Sequence, residues 1–466
     1  MKDNFDSPRI GIVKKILNRF TSFPFLKIHT EIDNDKDFTS SIAELTDMYV
    51  KVRKNEINNN FPQFTSTSVH VKFRELSVNS MSLEYEKYIN KGISNIKAKG
   101  EFLERLSAML PVDFFLKRPD LIKNIDLLIS RKVFFKNVFN FGYKRIDIKY
   151  LYYGLRHGSV LARSYLWQVT TNGCAGHFSK EKALVSAILE LIQRDSFLVY
   201  WLNTIAPKII DIESFKENNK DLEKDSPVYS LLKILEDLDM YNIKYYFLDI
   251  TSDIEVPAVC CVLISETDSG EKKISLGNSC GFGGVRDLTS ALLEGLAMLP
   301  YAFYNRDNIN IQKDSYIPFK DGNIDKDQRL LIYQKPEMYK EFEFFIASKS
   351  VISLEDWTTV NGYMSEKSFD IFRLENDTKY QLKYLKDIFK KRSAFNPDYN
   401  VYFYNIKNKI LSNFEYYVVR VICLALYQIY LNENHAKPDH PRIKEFIKNK
   451  GLEKEAKLNI WPHPFP

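Results

Sequence analysis

The segment from Lys180 to Leu202 is rich in Ala, Leu and Glu and predicts a long helix, with Ser179 as its N-cap. Apolar stretches typical of strands follow at 244–264, at Val401 to Tyr404 and at Tyr416 to Leu426. Helices and strands therefore interleave, but without the regular strand–helix–strand alternation of a doubly wound sheet. This order of elements favours an α+β fold.

Capping residues and glycines predict the remaining elements. A long helix or a helix pair is expected over 83–110. Leu276 to Ser279 is expected to begin a glycine-rich loop, after which Asp287 caps a helix over 288–304. The polar region 305–345 is predicted to form loops.

The composition excludes several classes of protein. The 66 basic and 60 acidic residues give a net charge of +6, too small and dispersed to predict a nucleic-acid surface. Five cysteines without a C-x-x-C pair argue against a disulfide framework and a structural zinc site. The longest apolar stretch, Tyr416 to Leu431, contains Arg420 and is too short to cross a bilayer. We therefore expect a cytoplasmic protein without nucleic-acid or membrane partners.

Two predicted helices each present polar oxygens on one face. Glu101 and Glu104 are three residues apart, and Ser186 and Glu190 are four apart, so each pair shares a helix face. Gln193 extends the second face by a turn. Hard oxygen ligands from two helices that meet across a cleft would suit Mg²⁺ and nucleotide phosphates.

The neighbouring arginines leave two interpretations open. Arg105 and Arg194 could pair with phosphate or hold the carboxylates in place. Alternatively, both faces are solvated and carry ordinary intrahelical salt bridges. The chain has neither a P-loop nor a G-x-G-x-x-G that opens a helix, so a nucleotide would have to bind in a less common way.

The sequence ends in a proline-rich tail, Trp461-Pro462-His463-Pro464-Phe465-Pro466. Proline fixes φ and extends the residue before it, so such a tail is stiff and loses little entropy when held in one place. A frayed, exposed end is the alternative.

Three consecutive stretches carry a family resemblance. They are Thr171-Asn172-Gly173-Cys174-Ala175-Gly176-His177, Glu181-Lys182-Ala183-Leu184 and Glu190-Leu191-Ile192-Gln193-Arg194-Asp195-Ser196-Phe197. They resemble S-N-G-x-A-A-G, E-E-A-L and E-x-x-E-R-D-A-F, the signature of the YcaO family. The terminal prolines match the PxPxP ending of its azoline-forming members.

Other parts of the chain are also similar to this family. The matching segments are Gly100 to Ser107, similar to G-E-A-x-E-R-Y-S; Asp253 to Pro257, similar to D-x-G-x-P; Val418 to Ile422, similar to V-R-V-I; and Ser7 to Val13, similar to the D-P-R-x-G-I-V opening of the D-protein branch.

The resemblance implies a fold and a set of site residues. The fold would be a YcaO-like α+β fold with mixed and antiparallel sheets, whose carboxylate-bearing helices line a nucleotide cleft. Residues 1–70 would form an N-terminal segment of the D-protein type and residues 71–466 the YcaO domain with its tail. The implied cofactors are ATP and Mg²⁺. The metal residues would be Glu101, Glu104, Glu190 and Gln193; the ATP residues Ser186, Arg105, Arg194 and Asn172; and the catalytic residues Pro462, Pro464 and Pro466.

The resemblance also implies a reaction and partners. The enzyme would be an ATP-dependent cyclodehydratase that phosphorylates backbone amides of a ribosomally made precursor peptide and forms thiazoline or oxazoline rings from Cys, Ser or Thr. A ThiF-like peptide-clamping partner is expected, because no such module precedes the catalytic region. A flavin dehydrogenase and a second copy of the chain are further expected partners. The alternatives are thioamide or amidine formation, and a degenerate YcaO-like scaffold subunit.

Some positions depart from the family pattern. Gln193 stands where the family has Glu, which removes one negative charge from the metal site. Met298 and Tyr301 stand where a later helix normally carries E-x-x-Q. Glu294 lies one turn away, so either it compensates or the site is weakened.

Overall fold

The fold is seen in a computed structural model. It describes residues 35–36, 38–40, 50–57, 64–73, 76–84, 93–108, 132–140, 142–147, 170–218, 227–267, 270–304, 316–320, 324, 326–358 and 371–465. The resemblance at Ser7 to Val13 and the terminal Pro466 lie outside these residues.

Helices and strands alternate along the described chain. The strands are β1 (Val50–Ile57), β2 (Phe64–Phe73), β3 (Leu76–Glu84), β4 (Lys132–Asn137), β5 (Tyr143–Asp147), β6 (Cys174–His177), β7 (Lys208–Asp211), β8 (Ile243–Asp249), β9 (Ala258–Glu266), β10 (Lys272–Cys280), β11 (Val351–Ser353), β12 (Val401–Ile406) and β13 (Tyr417–Cys423). The helices are α1 (Ile93–Ala108), α2 (Lys180–Leu202), α3 (Ile212–Asn218), α4 (Pro227–Met240), α5 (Val285–Tyr304), α6 (Lys326–Leu331), α7 (Pro336–Phe342), α8 (Leu354–Thr358), α9 (Ile371–Asn376), α10 (Thr378–Ser393), α11 (Lys409–Asn413) and α12 (Pro441–Lys450).

The described strands form three sheets. One has the order β1-β2-β3, a second β10-β9-β8-β7-β11 and a third β5-β4-β12-β13-β6. Neighbouring strands are antiparallel except β11, which runs parallel to β7. The mixed and antiparallel sheets confirm the predicted α+β class. Among the described strands, β10 and β6 each end a sheet, so each has backbone N–H groups that do not donate to any of the strands described.

Helix α2 lies between the two five-stranded sheets. Its side chains share a core cluster with Cys260 and Val262 from one sheet and with Val419 and Val421 from the other. The alternate residues of these strands face away from α2: Val259 and Leu263 pack with α4 and α5, and Val418 packs with α1. This alternation produces layers of helix, sheet, helix, sheet and helix.

The predicted central helix is confirmed at both ends. Helix α2 spans Lys180–Leu202, and the Ser179 hydroxyl accepts the Lys182 backbone N–H at 3.4 Å. The strands predicted within 244–264 are β8 and β9, separated by the turn at 253–257. Strands β12 and β13 confirm the two late strands.

Three other predictions need correction. Leu276 to Ser279 is not a loop but part of strand β10. Helix α5 packs against this strand, and its contacts offset the low strand propensity of Gly277. The described part of 305–345 contains helices α6 and α7, and Tyr339 and Phe342 of α7 pack into the core. Within 83–110, α1 (Ile93–Ala108) confirms a helix. The predicted start at residue 83 is wrong, because strand β3 extends to Glu84.

The division into domains at residue 70 stays a prediction. Strand β2 runs through this position and pairs with β1 and β3 on its two sides. No helix of the described chain combines the length and the apolar character that crossing a membrane requires.

Candidate functional site

Carboxylates from three helices converge where strands β6 and β10 end their sheets. They are Glu101 and Glu104 on α1, Glu190 on α2 and Glu294 on α5. Burial raises the pKa of Glu104 well above its usual value, and the negative charges of Glu190 and Glu101 raise it further. Burial likewise raises the pKa of Glu294 to about 7, with Glu101 and Glu190 adding to the shift. The four carboxylates therefore sense one another electrostatically.

Each buried carboxylate is positioned by a backbone N–H of an edge strand or of the turn before it. Glu104 accepts from the Gly176 N–H at 3.0 Å, and Glu190 accepts from the Gly173 N–H at 2.6 Å. Glu294 accepts from the Asn278 N–H at 2.7 Å. Hydrogen bonds to a carboxylate favour its charged form and so oppose the effect of burial.

Arginines surround this group of carboxylates. Arg105 pairs with Glu101 at 2.5 Å, and Arg194 pairs with Glu190 at 2.8 Å, both within one helix turn. Arg194 also donates to the Asn172 side-chain oxygen at 3.2 Å, which links α2 to the turn before β6. Burial raises the pKa of Glu190, and the positive charges of Arg194 and of the buried Arg420 on β13 oppose that rise. The open interpretation of the arginines is thus partly answered: they hold carboxylates that are partly buried rather than fully solvated.

Two glycines allow the close approach of these elements. A Cβ on Gly277 of β10 would lie 2.1 Å from the Ala291 carbonyl oxygen and 2.3 Å from the Gly295 nitrogen, both on α5. Gly173 has φ +72°, and its Cβ would lie 2.3 Å from the Val421 carbonyl oxygen. Glycine at 277 lets α5 carry Glu294 towards the other carboxylates, and glycine at 173 lets the chain turn beside Glu190.

The structure brings together most of the residues that the sequence singled out. Glu101, Glu104, Glu190, Arg105, Arg194 and Asn172 lie in this group through the contacts above. Ser186 is exposed one turn before Glu190, and Gln193 is half-buried beside Arg194. Their predicted roles towards ATP and metal remain predictions.

Glu294 is the residue that sequence reasoning underrated. The comparison of the later helix with E-x-x-Q pointed to Met298, but Met298 packs against the main apolar core. Glu294, one turn earlier, faces the carboxylates. The signal for this register was Gly295, because a glycine in a helix marks close contact with a neighbouring strand.

The C-terminal tail is docked along the second half of α2. The backbone N–H groups of Lys457 and Asn459 donate to the Asn203 and Leu202 carbonyls, and the Trp201 indole donates to the Trp461 carbonyl at 3.1 Å. Residues 462–465 are buried. The frayed alternative is therefore wrong for the described part of the tail.

The direction of the tail relates it to the carboxylates. Trp461 contacts Trp201, whereas the Phe465 ring lies 5.3 Å from that of Phe197, one turn nearer to Arg194. The tail thus runs antiparallel to α2, and its last described residue points along the helix towards Arg194 and Glu190.

A family comparison matches the region that holds most of this site. The profile described as YcaO cyclodehydratase, ATP- and Mg²⁺-binding, covers residues 146–423, which is more than half of the chain. The chain belongs to the YcaO family. The description of this family agrees with the expected cyclodehydratase class and with the expected cofactors ATP and Mg²⁺. No curated protein sequence matches the chain significantly.

Solved structures agree with the YcaO fold. One is a heterocyclase in complex with substrate and cofactor, with a TM-score of 0.59 and 12% identity over 92% of this chain. The match covers 57% of that heterocyclase, so this chain spans little more than half of its length. Another is YcaO from Methanopyrus kandleri bound with AMPPCP and Mg²⁺, with a TM-score of 0.56 and 13% identity, over 90% of this chain and 96% of that one. At these identities the likeness concerns the fold alone.

The carboxylates of this YcaO site fit a hydrated magnesium ion bound together with phosphate. Within the part of the chain that the structure describes, no three His, Cys, Asp or Glu side chains are arranged so that they could hold a metal ion. Mg²⁺ usually keeps several waters and takes one or two carboxylates together with substrate phosphates. Carboxylates whose pKa values are raised by burial, and further by one another, also gain most from a nearby cation.

Proposed function

We propose that this chain is an ATP-dependent peptide cyclodehydratase that forms thiazoline or oxazoline rings in a ribosomally made precursor peptide. The observation that carries the proposal is the group of buried carboxylates, each held by a backbone N–H, beside Arg194 and Arg105. Such an arrangement suits the binding of a metal-coordinated polyphosphate far better than it suits a solvated helix face.

The chain's own residues would divide the work of binding. Glu101, Glu104 and Glu190 would line the Mg²⁺ site with Gln193 beside them, one or two of the carboxylates binding the ion directly and the rest through its waters. Arg194, kept in place by Glu190 and Asn172, would face phosphate oxygens. Glu294 supplies a further carboxylate, and this weighs against a degenerate scaffold subunit.

The proposed reaction removes one water for each ring. When bound, MgATP supplies the phosphoryl group that converts a poor leaving group, the amide oxygen, into phosphate. A Cys, Ser or Thr side chain of the peptide would lose its proton and add to the preceding carbonyl carbon, which closes the ring. The carbonyl oxygen would then take the phosphoryl group, leaving ADP, and its departure as phosphate together with loss of the amide proton would form the C=N bond of the azoline. The enzyme's contribution is to align the peptide amide with the phosphates, which is an effect of proximity.

The docked tail supports the azoline-forming branch over thioamide or amidine formation. We propose that Pro462, Pro464 and Pro466 position the peptide amide beside the nucleotide. The stiffness of the tail and its course along α2 towards Arg194 favour this role. We also propose that a ThiF-like partner presents the precursor peptide. A flavin dehydrogenase, a second copy of the chain and a division at residue 70 remain proposals.

Mass spectrometry of a candidate precursor peptide tests the reaction. The peptide is incubated with this protein, its partner and ATP, and the expected result is loss of the mass of one water per ring. Peptide of unchanged mass despite ATP hydrolysis would reject the azoline-forming role. Gain of sulfur in place of oxygen would indicate thioamide formation instead.

The variant Glu190→Gln tests the site assignment in the same assay. Gln can still accept the Gly173 N–H, so the fold should persist, but one negative charge is lost at the phosphates. ATP turnover should fall by at least about 100-fold, the scale typical of removing a group that stabilises transition-state charge. The matched control is Glu236→Gln, a surface carboxylate on α4 that pairs with Lys233. Equal loss in both variants, or none in Glu190→Gln, would contradict the assignment.

A further inference from the structure

A polar cavity of about 490 Å³ lies away from the carboxylates of the candidate site and shares no lining residue with them. It is bounded by the start of β7, the end of β8, the β8–β9 turn and the ends of α10 and α12. The lining residues are Tyr200, Lys208, Asp249, Asp253, Glu255, Ile352, Arg392, Asn449 and Lys450. Three acidic and three basic side chains therefore face one space.

The inner wall of this cavity is made of groups that already satisfy one another. The Asp253 carboxylate forms ion pairs with Arg442 at 2.6 Å and Arg392 at 3.2 Å, and it accepts a hydrogen bond from the Asn449 side-chain amide at 2.6 Å. Tyr200 donates its hydroxyl to the Thr251 carbonyl at 3.1 Å. These contacts make the wall rigid and leave little capacity there for a ligand.

The mouth of the cavity differs from its inner wall. Lys208 and Glu255 are both exposed. Among the described residues, neither side chain makes a hydrogen bond or an ion pair. Lys208 lies opposite Asp249 in the antiparallel pairing of β7 with β8. The cavity thus offers an unused cation and an unused anion at its entrance.

The backbone at Glu255 is held in a conformation that a side chain makes unfavourable. Its φ is +62°, in the left-handed region that suits glycine. Two hydrogen bonds hold it there: its N–H donates to the Ser252 carbonyl at 3.2 Å, and its carbonyl accepts the Tyr384 hydroxyl at 3.0 Å. Any residue other than glycine lowers the stability of the fold at such a position, because its Cβ is strained there. Strained residues of this kind cluster at functional sites.

Lys450 places a second ammonium group at the cavity. Burial lowers the pKa of Lys450, as does the nearby Lys208, whereas Asp249, Asp253 and Glu255 raise it. A partly dehydrated ammonium group next to a second one favours an anionic partner. The adjacent carboxylates disfavour a ligand that carries negative charge alone.

We propose that this cavity binds a small zwitterion, with the ligand carboxylate facing Lys208 and Lys450 and the ligand ammonium facing Glu255 and Asp249. The volume lies within the range of small-molecule pockets. Free amino acids and the two termini of short peptides share this chemistry. One wall residue, Tyr200, lies on α2, the helix that also carries Glu190 of the candidate site, but the cavity does not overlap that site.

The first test measures binding to the full-length protein without precursor peptide or partner, so its outcome is independent of the proposed reaction. The probes are glycine, β-alanine, γ-aminobutyrate, lysine and glycylglycine, which place the two charges at increasing separation. Acetate and ethylammonium, each with one charge, are the controls. We expect at least one zwitterion to raise the melting temperature and to give a saturable heat of binding at concentrations where the controls do neither.

The pattern across the probes distinguishes the two sources of ligand. Binding of α-amino acids in preference to glycylglycine indicates a free amino acid, and the reverse order indicates a peptide with free termini. If no zwitterion exceeds acetate and ethylammonium, the cavity is a solvated cleft with structural ion pairs only and the proposal is overturned.

Variants at the mouth separate a ligand role from a structural one. Glu255→Gly should raise the melting temperature of the ligand-free protein, because glycine relieves the strain at φ +62°, yet it should abolish zwitterion binding. Lys208→Met should weaken binding at least tenfold. The control Lys244→Met changes an exposed lysine of β8 that does not line the cavity and should bind as the native chain does. Native binding by both Glu255→Gly and Lys208→Met would overturn the proposal.

Discussion

At the scale of single residues, the candidate site depends on carboxylates that are held by the backbone. Glu104, Glu190 and Glu294 come from three helices, yet each accepts one N–H near the end of a sheet. An edge strand normally leaves such groups to solvent. Here these backbone N–H groups donate to the acidic side chains. The same hydrogen bonds therefore give the N–H groups an acceptor and hold the carboxylates in place.

Glu294→Gln tests whether Glu294 belongs to this site. The amide keeps an acceptor for the Asn278 N–H but removes a buried negative charge beside Glu101 and Glu190. The nucleotide-free protein should be slightly more stable, while affinity for MgATP should fall roughly 10-fold or more. Calorimetric titration with ATP, with and without Mg²⁺, measures this change. Unaltered affinity would place Glu294 outside the site.

At the scale of elements, the tail and α2 form one unit. Residues 457–465 follow the second half of α2 in the opposite direction, through the contacts at Leu202, Trp201 and Phe197. The Tyr333 hydroxyl donates to the Pro462 carbonyl, and the His463 ring nitrogen Nε2 donates to the Tyr430 carbonyl at 2.8 Å. The same helix carries Arg194 about one turn and Glu190 about two turns before Phe197, so tail docking and site geometry share one rigid support.

Deletion of Pro462 to Pro466 should separate nucleotide binding from ring formation. The proposed nucleotide residues lie on α1, α2 and α5 and in the turn before β6, so the affinity for MgATP should be unchanged. Ring formation should fall at least about 100-fold, because the peptide amide is no longer aligned. Mass spectrometry of the peptide and calorimetry with MgATP measure the two effects separately. Ring formation at the full-length rate would show that the tail is only structural.

His463 makes tail docking dependent on pH. Burial holds the pKa of this imidazole well below its usual value, and the nearby Arg329 lowers it further. A pKa that is depressed in the docked state means that docking is fully favourable above about pH 6.5 and weakens as the pH falls below it.

Carboxypeptidase digestion measures this docking between pH 8 and pH 5. The tail should become more susceptible as the pH falls below the usual histidine pKa. His463→Phe, which keeps the ring packing against Tyr430, should remove most of this pH dependence. An identical pH dependence in His463→Phe would assign the effect to other groups.

At the scale of the whole molecule, a buried ionic network joins the layers. Arg442 at the start of α12 pairs with Asp195 of α2 at 2.7 Å and with Asp253 of the β8–β9 turn at 2.6 Å, and it is fully buried. Burial raises the pKa of Asp253, but the positive charges of Arg442 and Arg392 outweigh this effect and lower that pKa to about 2. The network therefore fixes the central helix relative to one sheet and to the segment that leads into the tail.

Arg442→Met should destabilise the protein by roughly 3–5 kcal/mol, because it leaves two buried carboxylates without their cation. Urea unfolding measures the loss. Arg373→Met is the matched control, since Arg373 forms an exposed pair with Asp377 and its removal should change stability by less than about 1 kcal/mol. Equal effects of the two substitutions would contradict this account.

What the sequence determined by itself was local. The Ser179 cap and the run of good helix formers define α2 within one segment, and the i, i+3 and i, i+4 spacings place Glu101 with Glu104 and Ser186 with Glu190. The proline tail was recognisably stiff for the same reason, since φ restriction belongs to the residue itself.

Only the tertiary structure decided which of these features meet. Gly277 predicts a loop by its own propensity, but in β10 it makes room for α5, and this close packing brings Glu294 to the carboxylates. Likewise, no local signal placed the tail on α2 or Arg442 beside Asp195, because these contacts join segments about 250 residues apart. Contacts at such separation depend on how whole layers pack, and the local sequence does not encode that packing.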